Sequence, residues 1–85
     1  MTLADQIREF ARAQDVDPVR RTHPQLTTHV RIVSGDIVKR MKLHQRTPAV
    51  CGALDAKKFQ VENAIRLLQR TGPKQGTTAT WTFLV

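Results

Sequence analysis

Ser34-Gly-Asp-Ile-Val-Lys-Arg-Met-Lys42, Leu43-His-Gln-Arg46 and Thr47-Pro-Ala-Val-Cys-Gly-Ala-Leu54 follow one another without a break, and how they are read decides the fold. In the first segment Ile37, Val38 and Met41 recur at helical spacing. Lys39, Arg40 and Lys42 are left outward near the carboxyl end, where cations suit the helix dipole. Ser34 is a polar residue able to cap its start. Leu43 to Arg46 reads as a turn. Thr47-Pro48 then reads as a hydroxyl cap followed by proline at a first helical position. Val50, Ala53 and Leu54 share the buried face of this second helix.

Downstream, Asp55 to Asn63 either continues that helix or forms a separate one after a bend, with Phe59 as its anchor. Ile65, Leu67 and Gln69 then alternate with Arg66, Leu68 and Arg70. From Ala79 to Val85, Trp81, Phe83 and Val85 share a face. Two such runs around Thr71-Gly-Pro-Lys-Gln-Gly-Thr77 predict an antiparallel hairpin with a polar loop. Upstream, Thr2 and Asp5 have capping-box spacing. Leu3, Ile7, Phe10 and Ala11 predict an amphipathic helix ending near Gln14, its mixed-sign outer face solvated. Asp15 to Thr27, with Pro18 and Pro24, reads as a connector with room for one helical turn at Pro18–Arg21. Thr28 to Val33 reads as a short strand, with Thr28, Val30 and Ile32 on its buried side.

This order of helix, strand, helix, turn, helix and hairpin resembles the winged helix-turn-helix family. The resemblance covers nearly the whole chain as one α+β domain: an N-terminal helix and connector (1–27), a helix-turn-helix region (34–64) and a wing hairpin (65–85). The connector and the helical stretch from Asp55 to Ala64 are longer than a minimal member needs. What the resemblance implies is docking on double-stranded DNA. The helix opening at Thr47 would enter the major groove, while the preceding helix and the wing hold phosphates. Gln45, Arg46, Thr47 and Ala49 then stand at the groove mouth. Arg46 suits a bidentate guanine contact and a phosphate equally well, and Thr47 serves as cap or as contact. Lys39, Arg40 and Lys42 would meet phosphates, and so would Lys57 and Lys58 at the helix's far end. Arg70, Lys74 and Gln75 belong to the wing, where Lys74 or Arg70 would lie along the backbone or dip into the minor groove, an ordinary hairpin turn with incidental basic residues being the alternative. Trp81 is the one aromatic kept open for exposed base stacking.

Bulk properties point the same way. The chain has 85 residues, 40% of them apolar, enough for one core. Fourteen Lys and Arg against seven Asp and Glu give a net charge of +7. Residues 1–19 hold two of those cations and four acids, a net −2, and residues 20–85 hold twelve cations and three acids, a net +9. Such an excess favours a polyanion, nucleic acid first, with plain solubility as the alternative. The single cysteine, Cys51, forms no internal disulfide and reads as a small buried hydrophobe. The spacing of His23, His29, His44 and Cys51 is unlike paired zinc ligands. No catalytic pairing or phosphate-cradling glycine loop is evident. The expectation is therefore a non-enzymatic protein without cofactor, metal or small-molecule ligand. No apolar run approaches the roughly 20 residues that span a bilayer, and the amino end lacks a secretory layout. A soluble intracellular protein is expected, acting on DNA as a regulator or targeting module. The alternatives are an interaction module whose basic face meets an acidic protein partner or, by self-association, the acidic first helix of the same protein, and a binder of structured RNA.

Overall fold

Thr2 sets the first element in place. Its hydroxyl accepts from the backbone N–H of Asp5 at 3.2 Å, and the Asp5 carboxylate accepts from the Thr2 N–H at 3.3 Å. This is the capping box expected from the spacing. The computed structural model describes residues 1–22 and 28–85. Helix α1 spans Leu3–Ala11 and buries Ile7 and Ala11. Replacing Thr2 with alanine is expected to cost about 1 kcal/mol, read as a lowered urea midpoint with an unchanged slope.

The chain does not leave the helix near Gln14, contrary to expectation. It continues through a π-turn, Arg12–Val16, into α2, Asp17–Thr22. The Asp17 N–H reaches back five residues to the Arg12 carbonyl. Pro18, which has no N–H to give, comes next. The wider turn thus lets a proline follow without leaving a broken hydrogen bond, and it buries Val16 completely. The short helical turn anticipated at Pro18–Arg21 is therefore α2. The remainder of the expected connector, residues 23–27, lies outside the described residues.

Strand β1, His29–Val33, buries Val30 and Ile32 and exposes His29 and Arg31, as its alternation requires. Helix α3, Ser34–Met41, buries Ile37 and ends on Lys42 in the left-handed conformation (φ 57°). Ser34 does not cap it. The residue is fully buried, and its hydroxyl donates to the Gly76 carbonyl, 42 positions away. Helix α4, Thr47–Asp55, carries Pro48 in its first turn, where the missing N–H costs nothing. Thr47 makes no cap hydrogen bond; the Arg46 carbonyl instead accepts from Ala49 and Val50. Ala56, in extended conformation, breaks the path, so α5, Lys57–Asn63, is a separate helix. That resolves the alternative the sequence left open.

Strands β2, Arg66–Thr71, and β3, Thr80–Leu84, form the hairpin. Strand β3 also pairs antiparallel with β1, giving the order β1-β3-β2. Val30 lies opposite Phe83, and Ile32 opposite Trp81. These inward residues meet Ile7, Ile37, Leu54 and Phe59 in one core, where Phe59 and Phe83 pack edge to face at 5.3 Å. The molecule is a small α+β domain with helices α3 to α5 inserted between β1 and β2. No helix among the described residues is long and apolar enough to cross a membrane.

One irregularity reverses a sequence expectation. A bulge between Leu67 and Gln69 adds a residue to β2, so that Leu67 faces Phe83 while Arg70 faces Trp81. Gln69, placed inward by simple alternation, is exposed, and Arg70 turns in.

Candidate nucleic-acid interface

Helix α4 is apolar on most of its circumference. Val50, Cys51, Ala53 and Leu54 are buried, so the outward strip is narrow: Pro48, Gly52 and Asp55. A Cβ built on Gly52 would meet nothing within 4 Å, so this strip faces open space. Along one side of it runs the β2–β3 loop. The Cys51 Sγ lies 3.7 Å from the Gly76 carbonyl, and burial pushes its thiol pKa up, which suits a packed hydrophobe.

The loop is fastened, not free. From the α3 side, the N–H groups of Ser34 and Gly35 donate to the carbonyls of Ala79 and Thr77, each at 2.9 Å. Gly35 is needed there, because a Cβ would stand 2.8 Å from the Thr77 oxygen. From inside the hairpin, the Arg70 guanidinium donates to the carbonyls of Thr71, Gly72, Pro73 and Lys74. Its other edge holds the Asp55 carboxylate, with Nε at 3.1 Å from Oδ1. The same Oδ1 accepts from the buried Trp81 Nε1 at 2.7 Å. Arg70 also lies over the Trp81 ring, 5.0 Å from its centroid. Burial alone would raise the Asp55 pKa. The hydrogen bonds from Arg70 and Trp81 outweigh it and hold the carboxyl below the ordinary 3.8.

This arrangement sorts the candidate residues. Lys39 lies one turn beyond Gly35 on the loop-facing side of α3. Lys42, Gln45 and Arg46 are exposed in the turn leading into α4, and Gln45 adopts a left-handed conformation (φ 54°). Thr47 and Ala49 are half-buried at the helix mouth. Lys74 and Gln75 are exposed at the loop tip, where the Lys74 charge acts on Asp55 at the far end of α4. Lys57 is exposed at the start of α5. By their place in the chain these residues flank the two ends of α4 and the loop beside it.

Three others are turned to different work. Arg40 pairs with Asp15 of the π-turn and Asp36 of its own helix, 5.1 Å from the centre of the Phe10 ring. Lys58 pairs with Asp5 and Glu62. Arg70 is the loop's internal brace. Trp81 is fully buried, so it offers no stacking surface.

The pairing is selective across the whole set of charges. All 14 Lys and Arg and all seven Asp and Glu lie among the described residues. Five cations (Arg8, Arg12, Arg40, Lys58 and Arg70) hold all seven carboxylates, leaving nine cations without one. Lys39, Lys42, Arg46, Lys57 and Lys74 are in that uncompensated set. Among the described residues no group of three His, Cys, Asp or Glu could hold a metal.

Sequence reasoning missed the Asp55–Arg70–Trp81 cluster. Its signal was an acid at the end of an otherwise neutral helix, 15 residues before an arginine and 26 before the tryptophan. No family model, curated protein or solved structure matches this chain.

Proposed function

We propose that this is a winged-helix domain that binds double-stranded DNA, with α4 at the major groove and the β2–β3 loop on the adjacent backbone. The single observation that carries the reading is the strip just described: an open helix face flanked by a fastened loop and bordered by cations that no carboxylate neutralises. The order of β1, α3, turn, α4 and a closing hairpin supports it, since the resemblance to winged helices rests on that order, with α5 as an addition before the hairpin.

On this reading the manner of binding follows from the residues of the strip. On the strip, Pro48 and Gly52 carry no group able to read a base edge and the Asp55 carboxylate is taken up by Arg70 and Trp81, which leaves Gln45 and Arg46 at the mouth to do so. Most affinity would come from phosphates, and preference among sequences would be modest.

Fluorescence anisotropy of a labelled 20-base-pair duplex across a salt series tests this. Log affinity should fall linearly with log salt, with a slope of about −0.9 for each phosphate neutralised. Gly52→Glu is the sharper probe, because the open space around the glycine admits the side chain without repacking. The variant should stay folded by circular dichroism and lose at least about tenfold in duplex affinity, since a carboxylate then opposes the groove. A flat salt response in the parent protein, or unchanged binding by the variant, would rule the reading out.

A further inference from the structure

The sheet has a second face. Residues opposite one another in antiparallel pairing share a side, so β1 and β2 present their outward residues in rows across β3. One row is His29, Leu84 and Arg66; the next is Arg31, Thr82 and Gln69. His29, Arg31, Arg66 and Gln69 are exposed. Neither arginine has a carboxylate partner among the described residues, and no Asp or Glu stands on this side of any strand.

From the surface outlined by these rows we infer that the outward face of the sheet is a second docking surface for the phosphate backbone of duplex DNA. One molecule would thereby hold two separate duplexes. The inference rests on the DNA-binding reading of α4 for the identity of the first duplex.

Charge complementarity selects the occupant. Guanidinium groups interleaved with hydroxyl and amide donors are the groups that bind phosphate oxygens. His29 and Arg66 flank β3 about 10 Å apart, and Arg31 stands about 7 Å along the strand from His29. Such a triangle covers a few phosphates of a strand that carries one charge per about 3.4 Å of axis. Apart from the lone imidazole of His29, no aromatic ring of the strands points outward: Trp81 and Phe83 are both fully buried. The stacking platform that unpaired bases need is therefore missing, which favours a duplex over a single strand. The helical layer packs on the other side of the sheet. To reach Arg31 as well, a duplex seated on α4 would have to curl round the domain within a few base pairs, a curvature that is costly for a rod whose persistence length is about 150 base pairs. The second occupant is accordingly another duplex.

A bridging assay tests this with the full chain. One 20-base-pair duplex is immobilised, a second unrelated duplex carries a fluorophore, and retention of the label is measured. The parent protein should retain it. Arg31→Gln/Arg66→Gln should cut retention at least tenfold while anisotropy on a single duplex changes less than threefold. Arg31→Lys/Arg66→Lys should restore bridging, which separates lost charge from lost folding. Single-duplex binding without bridging, or bridging unaffected by the double glutamine variant, overturns the inference and leaves the α4 reading standing. If Gly52→Glu binds a single duplex normally while the double glutamine variant does not, DNA sits on the sheet alone and the α4 reading is the one that fails. Displacement of DNA from the sheet by poly-glutamate at lower charge concentration than competing duplex would assign the face to an acidic protein and overturn the proposal.

Discussion

Asp55→Ala is expected to lower stability by about 2–3 kcal/mol, the cost of leaving a buried donor and a paired cation without their acceptor. Trp81 is fully buried, and its indole N–H loses its acceptor once Oδ1 is gone. The Arg70 side chain is 19% exposed and would lose its counter-charge while remaining held over the ring. The carboxylate itself is 38% exposed, which keeps the figure below that of a fully buried pair. In a domain of this size the loss would lower the melting temperature by roughly 10–20 °C. Asp55→Asn should lose less, because its amide oxygen can still accept from Trp81 when suitably oriented.

The same group gives a pH dependence whose sign is determined. Hydrogen bonds from Arg70 and Trp81 depress the Asp55 pKa in the folded protein below 3.8, against the opposing effect of burial. Its contribution is therefore complete above the unfolded value and is lost as pH falls through the folded one. Asp5 shifts in the same direction, chiefly because Arg8 hydrogen-bonds its carboxylate. Urea midpoints should hold steady near pH 6 and decline below about pH 4, with a shallower decline in Asp55→Asn. Identical acid profiles for parent and variant would show that the cluster does not stabilise the fold.

The second large effect concerns binding. Lys42→Gln/Arg46→Gln/Lys74→Gln removes three uncompensated cations from the strip beside α4 without breaking an ion pair. If each neutralises one phosphate, the salt slope should become shallower by about 2.7, and affinity at 0.1 M salt should fall about 500-fold. Stability should change little, since all three side chains are exposed. The matched control is Arg40→Gln. Its guanidinium is engaged by Asp15 and Asp36, and those bonds hold its pKa up. That variant should lose stability and leave the salt slope nearly unchanged. Anisotropy and urea titration on the same preparations separate the two cases. Equal slopes for the parent and the triple variant would mean that these residues meet no phosphate.

Local pattern carried a large part of the architecture into view. The Thr2–Asp5 box and the apolar spacing of Ile7, Ile37, Val50 and Leu54 follow from contacts within one or two helical turns. The alternation of Val30 and Ile32, and of Trp81 and Phe83, follows from the two-residue period of a strand. These signals depend on near neighbours, so a linear reading recovers them. The excess of cations after residue 20 is likewise a property of composition.

What stayed hidden arises where distant segments meet or where one residue is inserted. The extra residue of the β2 bulge turned Arg70 from the surface to the underside of the loop, because a shift of one position exchanges the two faces of a strand. Ser34 reads as a cap until its hydroxyl is found on a carbonyl 42 residues away. The π-turn carried a helix past Gln14 because its five-residue bond ends just before a proline. Which cations stay unpaired depends on whether a carboxylate reaches them in space. Arg40 and Lys42, two positions apart and both basic, therefore take different parts: one braces the helical layer, and the other stands open to solvent beside α4.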